Sequence, residues 1–134
     1  MSLTTENTRL LTGIGQVSMR ARDLDRAVRF YRDILGLDFL FGPSGQLAFF
    51  DCQGIRLMLS VPESEEFDHP GSVLYFNVSN ISEAYETLRS KGASFRAEPH
   101  LIAKLPDREV WMAFFDDSEG NLLALMSELK TGGA

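Results

Sequence analysis

His100, Glu109 and Tyr75 are the side chains of this sequence best suited to moving a proton. An imidazole changes charge near neutral pH and is the commonest general acid or base. His100 follows Glu98-Pro99 at the head of a long loop, and Glu109 opens the apolar run after it, a placement that allows an acid–base pair at one mouth. Tyr75 lies inside Val73-Leu74-Tyr75-Phe76-Asn77-Val78, a strand-like stretch, and supplies a phenol. The other histidine, His69, sits in an acidic stretch and reads as a linker residue. Cys52 has no basic neighbour in sequence to lower its thiol pKa, so nothing marks it as a nucleophile. A single cysteine also excludes an internal disulfide and a cysteine-rich metal site. There is no Ser-His-Asp arrangement, phosphate-binding glycine loop, zinc spacing or dinucleotide fingerprint.

The elements that must position these residues come in two rounds. Residues 13–20 alternate as a strand, and Asp23 caps a helix whose apolar stripe is Leu24, Ala27, Val28, Phe30, Tyr31, Ile34 and Leu35, stopped by Gly36. Strands follow at 37–41, 46–51 and 55–61, the last two joined through Cys52-Gln53-Gly54. The second round has a strand at 72–78, a helix capped by Ser82 and ending at Gly92, a strand at 93–98, a loop at 99–108, and strands at 109–116 and 122–128. Ala48-Phe49-Phe50-Asp51 returns as Ala113-Phe114-Phe115-Asp116 in the same place of the second round. That echo, with the matched order of elements, points to an internal duplication.

The pattern is therefore α+β, two tandem βαβββ modules at 13–61 and 72–128, with tails at 1–12 and 129–134 and a linker at 62–71. Each helix covers one face of its sheet, so the other face must meet its twin, another subunit or a ligand. The sequence has 134 residues, 44% apolar and 24% charged, the make-up of an ordinary globular domain. A net charge of −6 with scattered arginines argues against nucleic acid. No run of eighteen apolar residues and no signal-like N-terminus are present, so no membrane is expected as a partner and the cytoplasm is the expected location.

With this order of elements, Ile14-Gly15-Gln16-Val17, Asp23-Leu24-Asp25-Arg26-Ala27-Val28-Arg29-Phe30-Tyr31, Ile34-Leu35-Gly36-Leu37 and Asp117-Ser118-Glu119-Gly120-Asn121-Leu122-Leu123-Ala124-Leu125 are together similar to the vicinal-oxygen-chelate family. That family includes glyoxalase I, extradiol dioxygenases and bleomycin-resistance proteins. The resemblance covers about residues 13 to 128 and implies a curved mixed sheet with an open central cleft. It also implies one divalent cation, held by residues on the first and last strand of each module. Those places fall here on Gln16, Met58, Val73 and Ala124, none of which is the family's usual His or Glu. A cation in such a site takes imidazole nitrogens or carboxylate oxygens. The chain thus resembles a member without the metal ligands, and no metal cofactor is expected.

Period-two alternation puts Gln16, Ser18, Phe49, Arg56, Met58, Val73, Tyr75, Asn77, Met112, Phe114, Leu122 and Ala124 on the cleft side, a mostly apolar wall with a few polar groups. Trp111 has the opposite parity and is expected in the core. Two readings stay open: a passive binder of a small, partly apolar molecule, and a metal-independent lyase or isomerase in which His100, Glu109 or Tyr75 transfers the proton. A third is a shifted metal site at Gln16, His100 and Glu109. The acidity fits relatives that bind cationic drugs, as the resemblance implies. Two modules with one open face each also predict a homodimer.

Overall fold

The computed structural model describes residues 10–44, 46–63, 65 and 68–131, with the backbone alone at 43 and 44. The expected tail at 1–12 lies mostly outside the described residues, as does the end of the chain beyond 131.

The first module runs β1 (Gln16–Arg20), α1 (Leu24–Arg29), a π-helical turn (Phe30–Ile34), β2 (Asp38–Ser44), β3 (Leu47–Cys52) and β4 (Ile55–Ser60). Its sheet has the order β1-β4-β3-β2, with β1 parallel to β4 and the other pairs antiparallel. The second module runs β5 (Leu74–Asn77), α2 (Ile81–Ser90), β6 (Ser94–Phe95), β7 (His100–Lys104), β8 (Arg108–Asp116) and β9 (Leu122–Lys130). Here the order is β5-β9-β8-β6, with β5 parallel to β9 and β7 also paired to β8. The β-α-β-β-β plan is thus present twice.

Five details differ from the expectation. Strand β7 occupies the stretch read as a loop, because His100 to Lys104 finds open hydrogen-bonding groups along β8. The strand expected at 93–98 shrinks to β6, while β9 extends through the expected start of the C-terminal tail to Lys130. The cap of α2 is Asn80 rather than Ser82: its side chain accepts from Glu83 N at 3.0 Å. Asp23 does the same for Arg26 N at 3.1 Å, so the twin helices start alike. The helical stripe of the first module also passes through a π turn, in which Leu35 N reaches back to Phe30 O at 3.0 Å.

Alternation divides each sheet into two faces. Val17, Met19, Ala48, Phe50, Leu57 and Leu59 pack beneath α1 and the π turn, against the buried Leu24, Ala27 and Val28 of the one and Tyr31 of the other. In the second module Ala113, Phe115, Leu123 and Leu125 take the matching place, with Trp111 packed beside them. These residues form one continuous core across both modules. Full burial of a side chain such as Phe50 stabilises by roughly 1.5–3 kcal/mol.

The modules are joined within the chain by the turn between β8 and β9. Glu119 Oε1 accepts from Arg22 N at 2.7 Å and Asp23 N at 2.8 Å, while Oε2 accepts from Arg26 Nε at 2.7 Å. Asn121 Nδ2 donates to Arg20 O at 2.8 Å, and Tyr31 donates its hydroxyl to Asp117 Oδ2 at 2.6 Å. The last turn of one module is therefore fixed to the first helix of the other.

Candidate functional site

The helix-free face of the first sheet is built from β1, β4 and β3. Gln16 pairs with Arg56 in register, Ser18 with Met58, and Met58 in turn with Phe49. Arg56 Nε donates to Gln16 Oε1 at 2.8 Å, and Gln16 Nε2 points to Met58 Sδ at 3.7 Å. The Arg56 guanidinium also lies over the Phe49 ring, 5.5 Å from its centroid, and Phe49 stacks on Phe41 at 4.6 Å. The expected neighbours Gln16, Ser18, Phe49, Arg56 and Met58 thus share one surface.

In the second sheet, Ala124 lies between Tyr75 on β5 and Phe114 on β8. The rings of Tyr75 and Phe114 meet edge to face at 6.0 Å, and Ala124 is fully buried. His100 pairs with Met112 and approaches Phe114 from the other side, at 6.5 Å between rings. Tyr75 and His100 therefore flank one aromatic ring. Val73 precedes β5 and Leu122 opens β9, both half-buried.

Glu109 does not join them. The unbroken β8–β9 register puts odd-numbered residues of β8 on the helix side, with Ala113 and Phe115. Glu109 shares that parity, and its Oε1 accepts from Trp111 Nε1 at 3.1 Å. The acid–base pair read for His100 and Glu109 is thus not assembled, because one step along a strand reverses the face.

Two cavities adjoin these surfaces. One of about 630 Å³ lies between the helix-free face of the first sheet and the linker, lined by Ser18, Arg20, Met58, Ser60 and His69 among others. His69, read from sequence as a linker residue, is brought to this face; its local sequence carries no signal of that. The other, about 810 Å³, runs along edge strand β5, where Tyr75 and Asn77 meet Cys52, Ile55 and the start of α2. Burial pushes the Cys52 thiol up from its ordinary pKa, and Asp51 adds to the effect, so the thiolate is disfavoured.

Residues 13–125 match the Glyoxalase/Bleomycin resistance protein/Dioxygenase superfamily. The chain belongs to this superfamily. It is 28% identical to the uncharacterised protein YurT of Bacillus subtilis (strain 168), over 83% of this chain and 95% of that one. Its fold is similar to that of a lactoylglutathione lyase from Agrobacterium tumefaciens (TM-score 0.69, 22% identity, 89% of this chain and 96% of that one). A superfamily member from Sphaerobacter thermophilus DSM 20745 is comparable (TM-score 0.70, 21% identity, 89% and 99% covered).

The resemblance implies a divalent metal, and the four positions to which it assigns the ligands do not fit one. The oxygen of Gln16 is engaged by a guanidinium, which would repel a cation at that point. The Met58 thioether is a soft donor already facing the Gln16 amide, and Val73 and Ala124 offer no donor atom. The rings of Tyr75 and Phe114 close over Ala124 besides. The shifted set of Gln16, His100 and Glu109 is not gathered either, since Glu109 faces away from the other two. No helix among the described residues is long and apolar enough to cross a membrane.

Proposed function

We propose that this superfamily member captures a small, partly apolar molecule on its helix-free surface and does so without a metal. The observation that carries the reading is the Arg56–Gln16 hydrogen bond of 2.8 Å. It gives the one candidate oxygen ligand to a fixed organic cation. Apolar walls with a few polar groups are the usual make-up of a small-molecule site, and Met58, Phe49, Phe114 and Tyr75 supply such walls. Elemental analysis of the purified protein together with a small-molecule binding screen tests it. Binding with substoichiometric metal supports the proposal, and stoichiometric zinc, iron, nickel or manganese overturns it.

A second reading is a metal-independent lyase or isomerase. It is favoured by the placement of His100 and Tyr75 on either side of Phe114, within reach of one ligand. Turnover that is lost in His100→Ala, with folding intact, would select it over passive binding. Either way we infer a cytoplasmic homodimer, for which edge strand β2 offers the exposed Leu40 and Phe41. A monomer in sedimentation at micromolar concentration would contradict the dimer.

A further inference from the structure

We infer that Arg56 is the recognition point for a carboxylate, so that the ligand is an organic acid with an apolar body. This inference rests on the ligand-binding reading above and names the ligand's chemistry.

The net charge of −6 makes an unpaired cation conspicuous. Arg20, Arg26, Arg32, Arg89, Arg96 and Arg108 each have a carboxylate within 4.0 Å. Among the described residues Arg56 has none, and it stands on the helix-free face, whereas the other unpaired arginines, Arg22 and Arg29, lie on or beside α1. A partner is close at hand. Asp51 is directly opposite Arg56 in the β3–β4 register, hence on the same face. Its Oδ1 is turned instead to the turn amide of Gly54, at 3.2 Å. Asp116 and Glu128, on the same face of the second sheet, are held by Arg96 and Arg108.

What Arg56 does touch is neutral and orienting. Gln16 fixes Nε, and the Phe49 ring, itself stacked on Phe41, supports the flat of the guanidinium. Its Nη1 and Nη2 make no hydrogen bond among the described residues. A guanidinium held at Nε and along its plane presents its two terminal nitrogens as a ready fork, the geometry that takes both oxygens of a carboxylate. Pre-orientation lowers the ordering cost of binding. Beside the fork, Phe49 and Met58 form an apolar shelf for the rest of the molecule. A cationic ligand, which the overall acidity suits, would meet Arg56 unfavourably on this face.

The test uses the full chain labelled with ¹⁵N and a panel of acids, benzoate, 3-phenylpropionate and octanoate, each matched with its own carboxamide. The expected result is that an acid moves the Arg56 Nε–H resonance and the amides of Gln16 and Met58. It should bind about tenfold or more tightly than its carboxamide, the gain typical of a charge-assisted pair. Arg56→Gln should make acid and carboxamide equal, while Arg56→Lys keeps part of the preference; Arg56 is exposed, and an unchanged spectrum elsewhere reports that each variant folds. Equal binding of acid and carboxamide to the native protein, or a preference that survives Arg56→Gln, overturns the carboxylate inference and leaves the binding reading standing. If no compound of either series perturbs this face, both fall.

Discussion

Glu119 and Arg26 meet at 2.7 Å across 93 residues of sequence, and their contact ties the last turn of one module to the first helix of the other. The Glu119 side chain is fully buried, while that of Arg26 is about half exposed (47%). The same carboxylate also accepts two backbone amides of the α1 entry and the Ser118 hydroxyl. Removing it leaves those donors unsatisfied and the Arg26 charge uncompensated. Glu119→Ala should therefore lower unfolding stability by about 2–4 kcal/mol, below the range for a wholly buried pair because Arg26 keeps contact with water. Urea denaturation of the two proteins under the same conditions checks this. A change within 0.5 kcal/mol, in order-of-magnitude terms a surface effect, would rule out a structural lock.

The same group sets a pH dependence. Burial pushes the Glu119 carboxyl up, but the Arg26 guanidinium, the Asp23 and Arg22 amides and the Ser118 hydroxyl outweigh it and hold the pKa at about 2, against an ordinary 4.5. The folded value lies below the unfolded one, so the unfolded state binds the proton first as pH falls. The stabilisation is thus fully present above about pH 4.5 and is lost progressively toward pH 2, on the order of 3 kcal/mol in all. Subtracting the stability–pH curve of Glu119→Gln from that of the native protein should isolate this slope. A flat difference between pH 5 and 2.5 would contradict it.

Gly42 makes a sharper local prediction. Its φ of +115° is one that residues with a side chain rarely adopt, and an added Cβ would lie 2.7 Å from Leu47 O and 2.8 Å from Ala48 Cα. Both atoms belong to β3, and Ala48 is fully buried beneath α1, so neither can move freely. Gly42→Ala should cost about 2 kcal/mol or more, read as a drop of several degrees in thermal unfolding. Gly54→Ala, where φ is +93° but no atom lies within 4 Å of the added Cβ, should cost less. Equal losses would show that backbone conformation alone, and not the close approach to β3, decides both.

The fold was legible because its signals are local and repeated: the stripe from Leu24 to Leu35, the alternation through Val17 and Met19, and the returning Ala-Phe-Phe-Asp. The positions of Gln16, Arg56, Met58, Tyr75 and Phe114 followed, since parity along a regular strand fixes the face. What failed depended on partners distant in sequence. His100 to Lys104 resembles a loop until β8 offers its edge, and Glu109 was misplaced by a single strand step. Glu119 stands in a turn of polar residues with no local sign of burial, and only docking against the entry to α1 buries it. The non-equivalence of the two turns was written in the sequence without being readable. Where Asp117, Glu119, Arg26 and Tyr31 lock one side, the duplicated places on the other hold Cys52, Gln53, Glu83 and Leu88, and there the 810 Å³ cavity remains open.

The absence of a workable ligand set at Gln16, Met58, Val73 and Ala124 leads to the last prediction. A metal that binds the folded protein at one hundred times its Kd stabilises it by about 2.7 kcal/mol, which for a domain of this size raises the melting temperature by several degrees. Zinc, nickel or manganese added to the native chain at about 100 µM, a hundredfold over a micromolar Kd, should leave the melting temperature within about a degree of the apoprotein. Replacing Gln16 by His should not create binding by itself, because Arg56 still directs its charge to that point and Ala124 still lies beneath Tyr75 and Phe114. Gln16→His combined with Met58→Glu and Arg56→Ala should begin to respond to metal, since the guanidinium is gone and two adjacent strands each bring a donor. A metal-dependent rise in the native protein would instead place a cation elsewhere, and a response of Gln16→His with Arg56 intact would show that the guanidinium does not guard the site.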